Sequence, residues 1–250
     1  YKLKEGELAS GIVVYYLDSD GNIVEQKTTY NAATGKVTFV VDHLSYYLIG
    51  YDQNRAAWPF NDVTPANWHY NSVKYVYEHG LFSGTSLTTF KPDESFTRAM
   101  LVSVLARLSK TDLSTYTTSR FDDVDIDTWY GPSVAWAKET GVVSGYLSKD
   151  GKATFRPDQK INRQDMALMI NNYAEKIVKK SIEGTQDAKT FKDRDQIAGY
   201  AAEAVAVMQK AGIINGVKNS DGSFSFLPIE NATRAQAAQM IAIYHQKYEQ

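Results

Sequence analysis

One pattern occurs three times in this chain, in the same order and at nearly the same spacing. Phe60-Asn-Asp-Val63, Phe121-Asp-Asp-Val124 and Phe191-Lys-Asp-Arg194 open the copies. Eight residues past the first two Phe stand Trp68 and Trp129, and the third copy reaches Tyr200 after nine. Twelve residues beyond each aromatic comes Gly80, Gly141 or Gly212. Four further stands Gly84, Gly145 or Gly216, preceded by Ser83, Ser144 or Asn215. Phe90-Lys-Pro92, Phe155-Arg-Pro157 and Phe226-Leu-Pro228 follow, and six residues past each proline is Arg98, Arg163 or Arg234. The middle of the pattern varies only by four-residue insertions, Ser148-Lys-Asp-Gly151 and Asn219-Ser-Asp-Gly222, whose composition says loop.

Each copy reads as helix, loop, helix. Val73 and Val76, Val134 and Ala137, and Val205 and Met208 mark one face of a first helix. The glycine at 80, 141 or 212 suits its left-handed C′ position. In the second helix, apolar residues stand three, six, seven and ten after the arginine: Leu101, Val104, Leu105, Leu108; Met166, Met169, Ile170, Tyr173; Ala237, Met240, Ile241, Tyr244. That is one face of an α-helix. Two amphipathic helices cannot bury both stripes alone, so the three copies should pack around a shared centre. Residues 1–53 have a different period. Ile12–Leu17, Ile23–Tyr30 and Val37–Val41 read as strands, Tyr46–Tyr51 as a fourth, with turns at Asp18–Asn22 and Asn31–Lys36. This small β-unit reads as a spacer or as the end of a larger upstream domain, and the chain as a fragment of a longer polypeptide. Residues 52–57 read as a linker.

Charge and composition remove several functions. Twenty-seven basic against 29 acidic residues give a net charge of -2, so no nucleic-acid partner is expected. The absence of Cys excludes disulfides, thiolate nucleophiles and Cys-ligated metal. No apolar run reaches 18 residues, so no transmembrane segment is expected. No nucleotide-loop, nucleophile-elbow or zinc-protease motif occurs, and His43, His69, His79 and His245 are scattered. No catalytic residue, metal or cofactor is expected. Asp18-x-Asp20-x-Asn22 begins like a calcium loop, but Gly21 stands at the fourth position instead of the sixth, and the segment reads as a hairpin turn.

Thr97-Arg-Ala-Met100, Asn162-Arg-Gln-Asp165 and Thr233-Arg-Ala-Gln236 open the second helices. The Thr or Asn suits an N-cap, and Gln236 or Asp165 can reach back as in a capping box. Capping does not explain the arginine. A cation in the first turn faces the positive end of the helix dipole, at a cost of a few tenths to about 1 kcal/mol. Its recurrence points to an anion, a carboxylate or phosphate, held by the guanidinium beside unsatisfied helix amides. A salt bridge to Asp62, Asp123 or Asp193 is the competing reading. Trp68, Trp129 and Tyr200 fit a core position and a groove wall equally, since an aromatic ring can pack on one side and stack a sugar on the other. Ser83-Gly84, Ser144-Gly145 and Asn215-Gly216 fit either a tight turn or close backbone approach to a ligand.

In order and spacing these segments resemble S-layer homology (SLH) domains: an opening Phe-x-Asp-Val, a Trp before the first helix, the Gly pair, Phe-x-Pro, and a Thr-Arg-Ala-Glu-type motif. The resemblance covers residues 60–250, about three quarters of the chain. It implies a mainly α fold, α+β once the N-terminal unit is counted, with three helix-loop-helix repeats at 58–115, 119–180 and 189–250. It further implies a pseudo-threefold bundle with grooves between neighbouring repeats. In function it implies an extracellular, non-catalytic module that tethers an S-layer or other surface protein to the secondary cell wall polysaccharide of a Gram-positive-type bacterium. Any lattice self-assembly would fall to upstream domains. The polysaccharide often carries a pyruvate ketal on N-acetylmannosamine, and the ketal carboxylate is the anion that Arg98, Arg163 and Arg234 would hold. Trp68, Trp129, Tyr200 and the three Ser-Gly or Asn-Gly pairs match the groove wall. The chain departs from the pattern at Asn162-Arg-Gln-Asp165, Met100, Tyr200 and Arg194, so the grooves are expected to be unequal. Two other classes stay open: a helical protein-binding scaffold, and a fragment of a polysaccharide-degrading enzyme, since any two carboxylates can meet in space.

Overall fold

A computed structural model describes every residue except 6, 32, 33, 44, 53–57, 185–189 and 250, so most of the expected linker lies outside the described residues. The chain divides into two compact units, Tyr1–Pro92 and Asp93–Gln250.

In the first unit, β1 (Ile12–Leu17) lies between β2 (Ile23–Gln26) and β5 (Tyr47–Tyr51), antiparallel to both, while β3 (Thr28–Asn31) pairs only with β4 (Lys36–Phe39). The stretch expected as one strand over Ile23–Tyr30 breaks at Lys27, where the Thr28 hydroxyl donates to the Gln26 carbonyl at 2.9 Å. The β1–β2 turn is closed by the Asp18 carboxylate, which accepts from the amides of Asp20 and Asn22. Helix α1 (Tyr70–Glu78) buries Val73 and Val76. It ends on Gly80 at φ 67°, with Leu81 N–H donating to Val76 O and Gly80 N–H to Tyr77 O. That pair of bonds is the left-handed glycine cap expected from sequence.

The second unit contains α2 (Arg98–Leu108), α3 (Gly131–Glu139), α4 (Arg163–Tyr173), α5 (Ala202–Lys210) and α6 (Arg234–Tyr248). It also contains two short hairpins, β6 (Tyr146–Leu147) with β7 (Ala153–Thr154), and β8 (Val217–Lys218) with β9 (Phe224–Ser225). All twelve apolar positions read on the second helices are buried. Full burial of a Leu or Ile contributes about 1.5–3 kcal/mol.

What joins the three copies is backbone. Phe96 N–H donates to Ala232 O (2.9 Å), Ala232 N–H to Ile161 O (2.8 Å), and Ile161 N–H to Phe96 O (2.9 Å), a closed ring of three hydrogen bonds. Bridges Ser95–Thr233, Thr97–Lys160 and Asn162–Asn231 flank it. The helix that leaves each segment of this ring is then finished by another copy: Arg98 N–H donates to Gln159 O, Arg163 N–H to Glu230 O, and Arg234 N–H to Glu94 O.

The expectation of a mainly α, pseudo-threefold helical bundle is therefore corrected. The described residues form six α-helices and nine strands, a mixed fold of helices with several small antiparallel sheets. Two physical reasons account for the error. Strands of two residues carry no periodicity, and the insertions at 148–151 and 219–222 are hairpin tips rather than plain loops, closed by Ser148 N–H to Lys152 O and Asn219 N–H to Ser223 O.

The recurring Asp is the clamp of the Phe-x-Pro turn. Asp62 accepts from the amides of Phe90 and Lys91, Asp123 from those of Phe155 and Arg156, and Asp193 from those of Phe226 and Leu227. The second residue of each pair is left-handed, with φ of 54°, 60° and 58° at Lys91, Arg156 and Leu227. A non-glycine residue there is held against its own preference. Asp193→Ala removes two charge-assisted bonds at 2.8 and 2.7 Å, and urea unfolding is expected to show a loss of about 1.5–3 kcal/mol; no loss would contradict the clamp.

Near the end of α6, Glu249 accepts from the Tyr173 hydroxyl at 3.3 Å, beside the Tyr173–Tyr244 ring pair at 5.9 Å. Burial pushes its carboxyl up to about 7, partly offset by the Tyr173 bond and the charges of Lys110 and Lys180. The folded state thus keeps this proton to higher pH than the unfolded chain, whose Glu titrates near 4.5. This raised carboxyl contributes most to stability below about 4.5 and loses that contribution as pH rises to about 7, by about 1–2 kcal/mol once solvent screening of a partly exposed group is counted. Denaturation across that range should lose most of this slope in Glu249→Gln, and an unchanged slope would assign it elsewhere.

Candidate functional site

The three motif arginines occupy the first position of α2, α4 and α6, and all are buried, with 6%, 9% and 7% exposure at Arg98, Arg163 and Arg234. The sequence pictured them beside unsatisfied helix amides. In α2 and α4 those amides are occupied, and in α6 the first and third are. The first is taken by another copy's carbonyl, the second in α2 and α4 by Pro157 O and Pro228 O, and the third by the cap: Thr97 Oγ1, Asn162 Oδ1 and Thr233 Oγ1 accept from Met100, Asp165 and Gln236. The capping box closes at Gln236 as expected, whereas the Asp165 side chain turns elsewhere. The salt-bridge alternative is not what the recurring Asp residues do, since their carboxylates clamp the Phe-x-Pro amides.

The Phe-x-Pro turn is the arginine's support. Arg98 Nε donates to Phe155 O at 2.9 Å and Arg163 Nε to Phe226 O at 2.7 Å. The Arg98 guanidinium lies 4.7 Å from the Phe155 ring centre and 5.0 Å from that of Tyr146; Arg163 lies 5.2 Å from Phe226. Burial pushes both guanidinium pKa values down, countered at Arg98 by Tyr146 and Asp165 and at Arg163 by Asp193. An arginine stays charged through such a shift, so each site holds a partly dehydrated cation.

In the second unit Arg98 lines a cavity of about 350 Å³ together with Ser144, Gly145, Tyr146, Asp165 and Tyr200. Four of the residues singled out from sequence, Arg98, Ser144, Gly145 and Tyr200, thus meet in one groove, contributed by three different copies. That volume falls in the range of small-ligand sites. Tyr200, 59% exposed, donates its hydroxyl to Asp165 Oδ1 at 2.7 Å. Gly145 has φ 76°, and a Cβ there would collide with the Phe121 ring. The opening Phe and the glycine of the Ser-Gly pair are therefore one packing unit.

The other residues singled out lie apart from this cavity or in the first unit. Trp129 is 61% exposed, its ring edge-on to Tyr130 at 5.2 Å. Asn215 is exposed, and Gly216 is left-handed at φ 72° beside Phe191. In the first unit, Trp68 is 61% exposed and edge-on to His69, Ser83 is half-buried, and Gly84 packs on Phe60. The even choice between core and wall for the three aromatics thus resolves to exposed rings. Sequence reasoning missed Tyr146 and gave Asp165 only a capping role. The one available signal was that Asp165 is a side chain shorter than the Gln or Glu of a capping box.

Three copies of one pattern, with Arg98 and Arg163 seated on Phe-x-Pro turns and a ligand-sized groove at Arg98, define a tandem-repeat module. The sequence matches the S-layer homology domain family at residues 59–99, 120–167 and 190–238, and the chain belongs to that family. It is a cell-surface anchoring module. It is 31% identical over 232 residues to an amylopullulanase of Thermoanaerobacterium thermosulfurigenes, covering 92% of this chain and 12% of that protein. It is 28% identical over 184 residues to the S-layer protein sap of Bacillus anthracis, covering 73% and 21%, and 32% identical over 140 residues to a cellulosome-anchoring protein of Acetivibrio thermocellus, covering 52% and 30%. The chain thus spans less than a third of the length of these relatives. No helix among the described residues is long and apolar enough to cross a membrane.

Because the Arg98 side chain also satisfies the Phe155 carbonyl, Arg98→Met should cost stability as well as charge. An unfolding titration is expected to show a loss of about 1–3 kcal/mol. A variant as stable as the parent would mean that the carbonyl finds another partner.

Proposed function

We propose that this chain anchors its parent protein by binding an anionic, pyruvylated secondary polysaccharide of a Gram-positive-type cell wall, in grooves between SLH repeats, and catalyses no reaction itself. The observation that carries this reading is the groove at Arg98: a dehydrated guanidinium, held by Nε to Phe155 O, lines a cavity of about 350 Å³ that an exposed tyrosine and a Ser-Gly turn also line. Such a cation gains more from a carboxylate than a hydrated one would, because the interaction energy rises as the dielectric falls. In this reading Arg98, Arg163 and Arg234 each hold a ketal carboxylate. Trp68, Trp129 and Tyr200 offer ring faces to the sugar, and Ser83-Gly84, Ser144-Gly145 and Asn215-Gly216 supply the narrow wall. The SLH family, and relatives named as S-layer and cellulosome-anchoring proteins, support the anchoring part. The enzyme names among the relatives attach to much longer proteins, of which this chain matches a small share.

The test is retention on isolated walls. Truncating one partner of a buried charge pair costs about 2–5 kcal/mol, so each working groove should weaken roughly 30-fold or more on Arg→Ala. The combined change at Arg98, Arg163 and Arg234 should abolish retention, as should chemical stripping of the polysaccharide, and binding should weaken as salt rises. Retention that survives either treatment sinks the anchor reading, and release of wall sugars by the chain would sink the non-catalytic one.

A further inference from the structure

The groove at Arg98 holds a negative side chain as well as a positive one. Asp165 Oδ1 accepts from the Tyr200 hydroxyl at 2.7 Å, Tyr200 accepts from Gln164 Nε2 at 3.2 Å, and Gln164 Oε1 accepts from Ala198 N–H at 2.9 Å. Three bonds in series therefore fix where the carboxylate stands. Its other oxygen, Oδ2, is 3.8 Å from Arg98 Nη1, too far for a hydrogen bond, and both side chains are well buried at 14% and 7% exposure. The pair is close enough to share a ligand and too far apart to satisfy each other. Arg98 Nε is committed to Phe155 O, which leaves its Nη groups as the donors at the cavity. A second cation, Arg156, lies 4.2 Å from the Tyr146 ring centre.

Resting on the reading of this cavity as the polymer groove, we infer that Asp165 is a specificity-determining residue: Oδ2 accepts hydroxyl or amide N–H donors of a sugar whose single carboxylate Arg98 holds, and its charge turns away doubly charged groups such as phosphate monoesters. A monoanion replaces the weak Asp165–Arg98 contact with a direct bond to Arg98 and gives Oδ2 the donor it lacks. A dianion of similar size brings extra negative charge against a fixed, partly buried carboxylate, a repulsive element of the kind that sets specificity. Asp165 belongs to the copy whose motif reads Asn-Arg-Gln-Asp, where Gln164 stands in place of the Ala of the other two copies and holds Tyr200. The selectivity is thus a property of this groove in particular.

The experiment compares two probes by calorimetry or NMR titration: a methyl glycoside bearing a pyruvate ketal, and the same glycoside as its 6-phosphate. The parent chain is expected to bind the ketal at least about tenfold more tightly. In Asp165→Asn the ketal should weaken about fivefold or more, the phosphate should strengthen, and the ratio should fall to within about twofold. Asp165→Ser should behave alike and serves if the first variant does not fold. Tyr200→Phe, which keeps the charge and loses the hydroxyl that fixes it, should lower affinity but keep the preference. An unchanged ratio in the Asp165 variants overturns the inference, as does a gain for both probes, which would make Asp165 only an internal rival for Arg98. A parent chain that binds neither probe overturns it as well. The anchoring reading is judged separately, by wall retention of the arginine variants: retention that depends on the arginines, with a ratio that ignores Asp165, defeats the inference alone.

Discussion

The second unit depends on a ring of three backbone hydrogen bonds, Phe96 to Ala232, Ala232 to Ile161 and Ile161 to Phe96. Each copy donates to one neighbour and accepts from the other, so no copy can complete this bonding alone. A buried amide without a partner costs a substantial fraction of a domain's stability, which makes the closed ring an all-or-none device. The side chains at these positions, Phe, Ile and Ala, differ because the ring does not use them.

From the ring follows the position of the arginines. Two residues after each ring residue a helix begins, and its first amide is bonded to another copy, so the arginine side chain emerges against a partner's backbone. For Arg98 and Arg163 that partner is the Phe-x-Pro turn of the following copy, which an Asp carboxylate holds in an otherwise unfavourable left-handed conformation. The cost of a cation at the helix start is met by a carbonyl and aromatic faces in direct contact, with the charge of Asp165 near Arg98 and of Asp193 near Arg163 adding to them. A buried cation supported this way keeps its charge available for a ligand. The sequence elements that looked independent, Phe-x-Asp, the Gly pair, Phe-x-Pro and the arginine, are one mechanical chain from copy to copy.

How far this was legible from residues alone differs by kind of interaction. Helix faces were readable because a 3.6-residue period repeats in the side chains, and all twelve second-helix positions are buried. Caps were readable because Thr97, Asn162 and Thr233 carry their own acceptor. The β content was not, because a two-residue strand or a ring made of amides leaves no side-chain pattern, and the expectation of a mainly helical bundle failed there. At the site, Arg98, Ser144, Gly145 and Tyr200 were named from spacing and do meet in one cavity. Asp165 was seen only as a capping group, since its neighbours Tyr200 and Arg98 are distant in sequence and close only once the copies join.

In the proposed function the arginines hold the charge on the wall polymer, and not its sugar backbone alone. The most direct measurement is a calorimetric titration of this chain with the secondary polysaccharide in its pyruvylated form and after removal of the ketals. Binding confined to the pyruvylated polymer is the expected result, and equal affinity for both forms would contradict the claim.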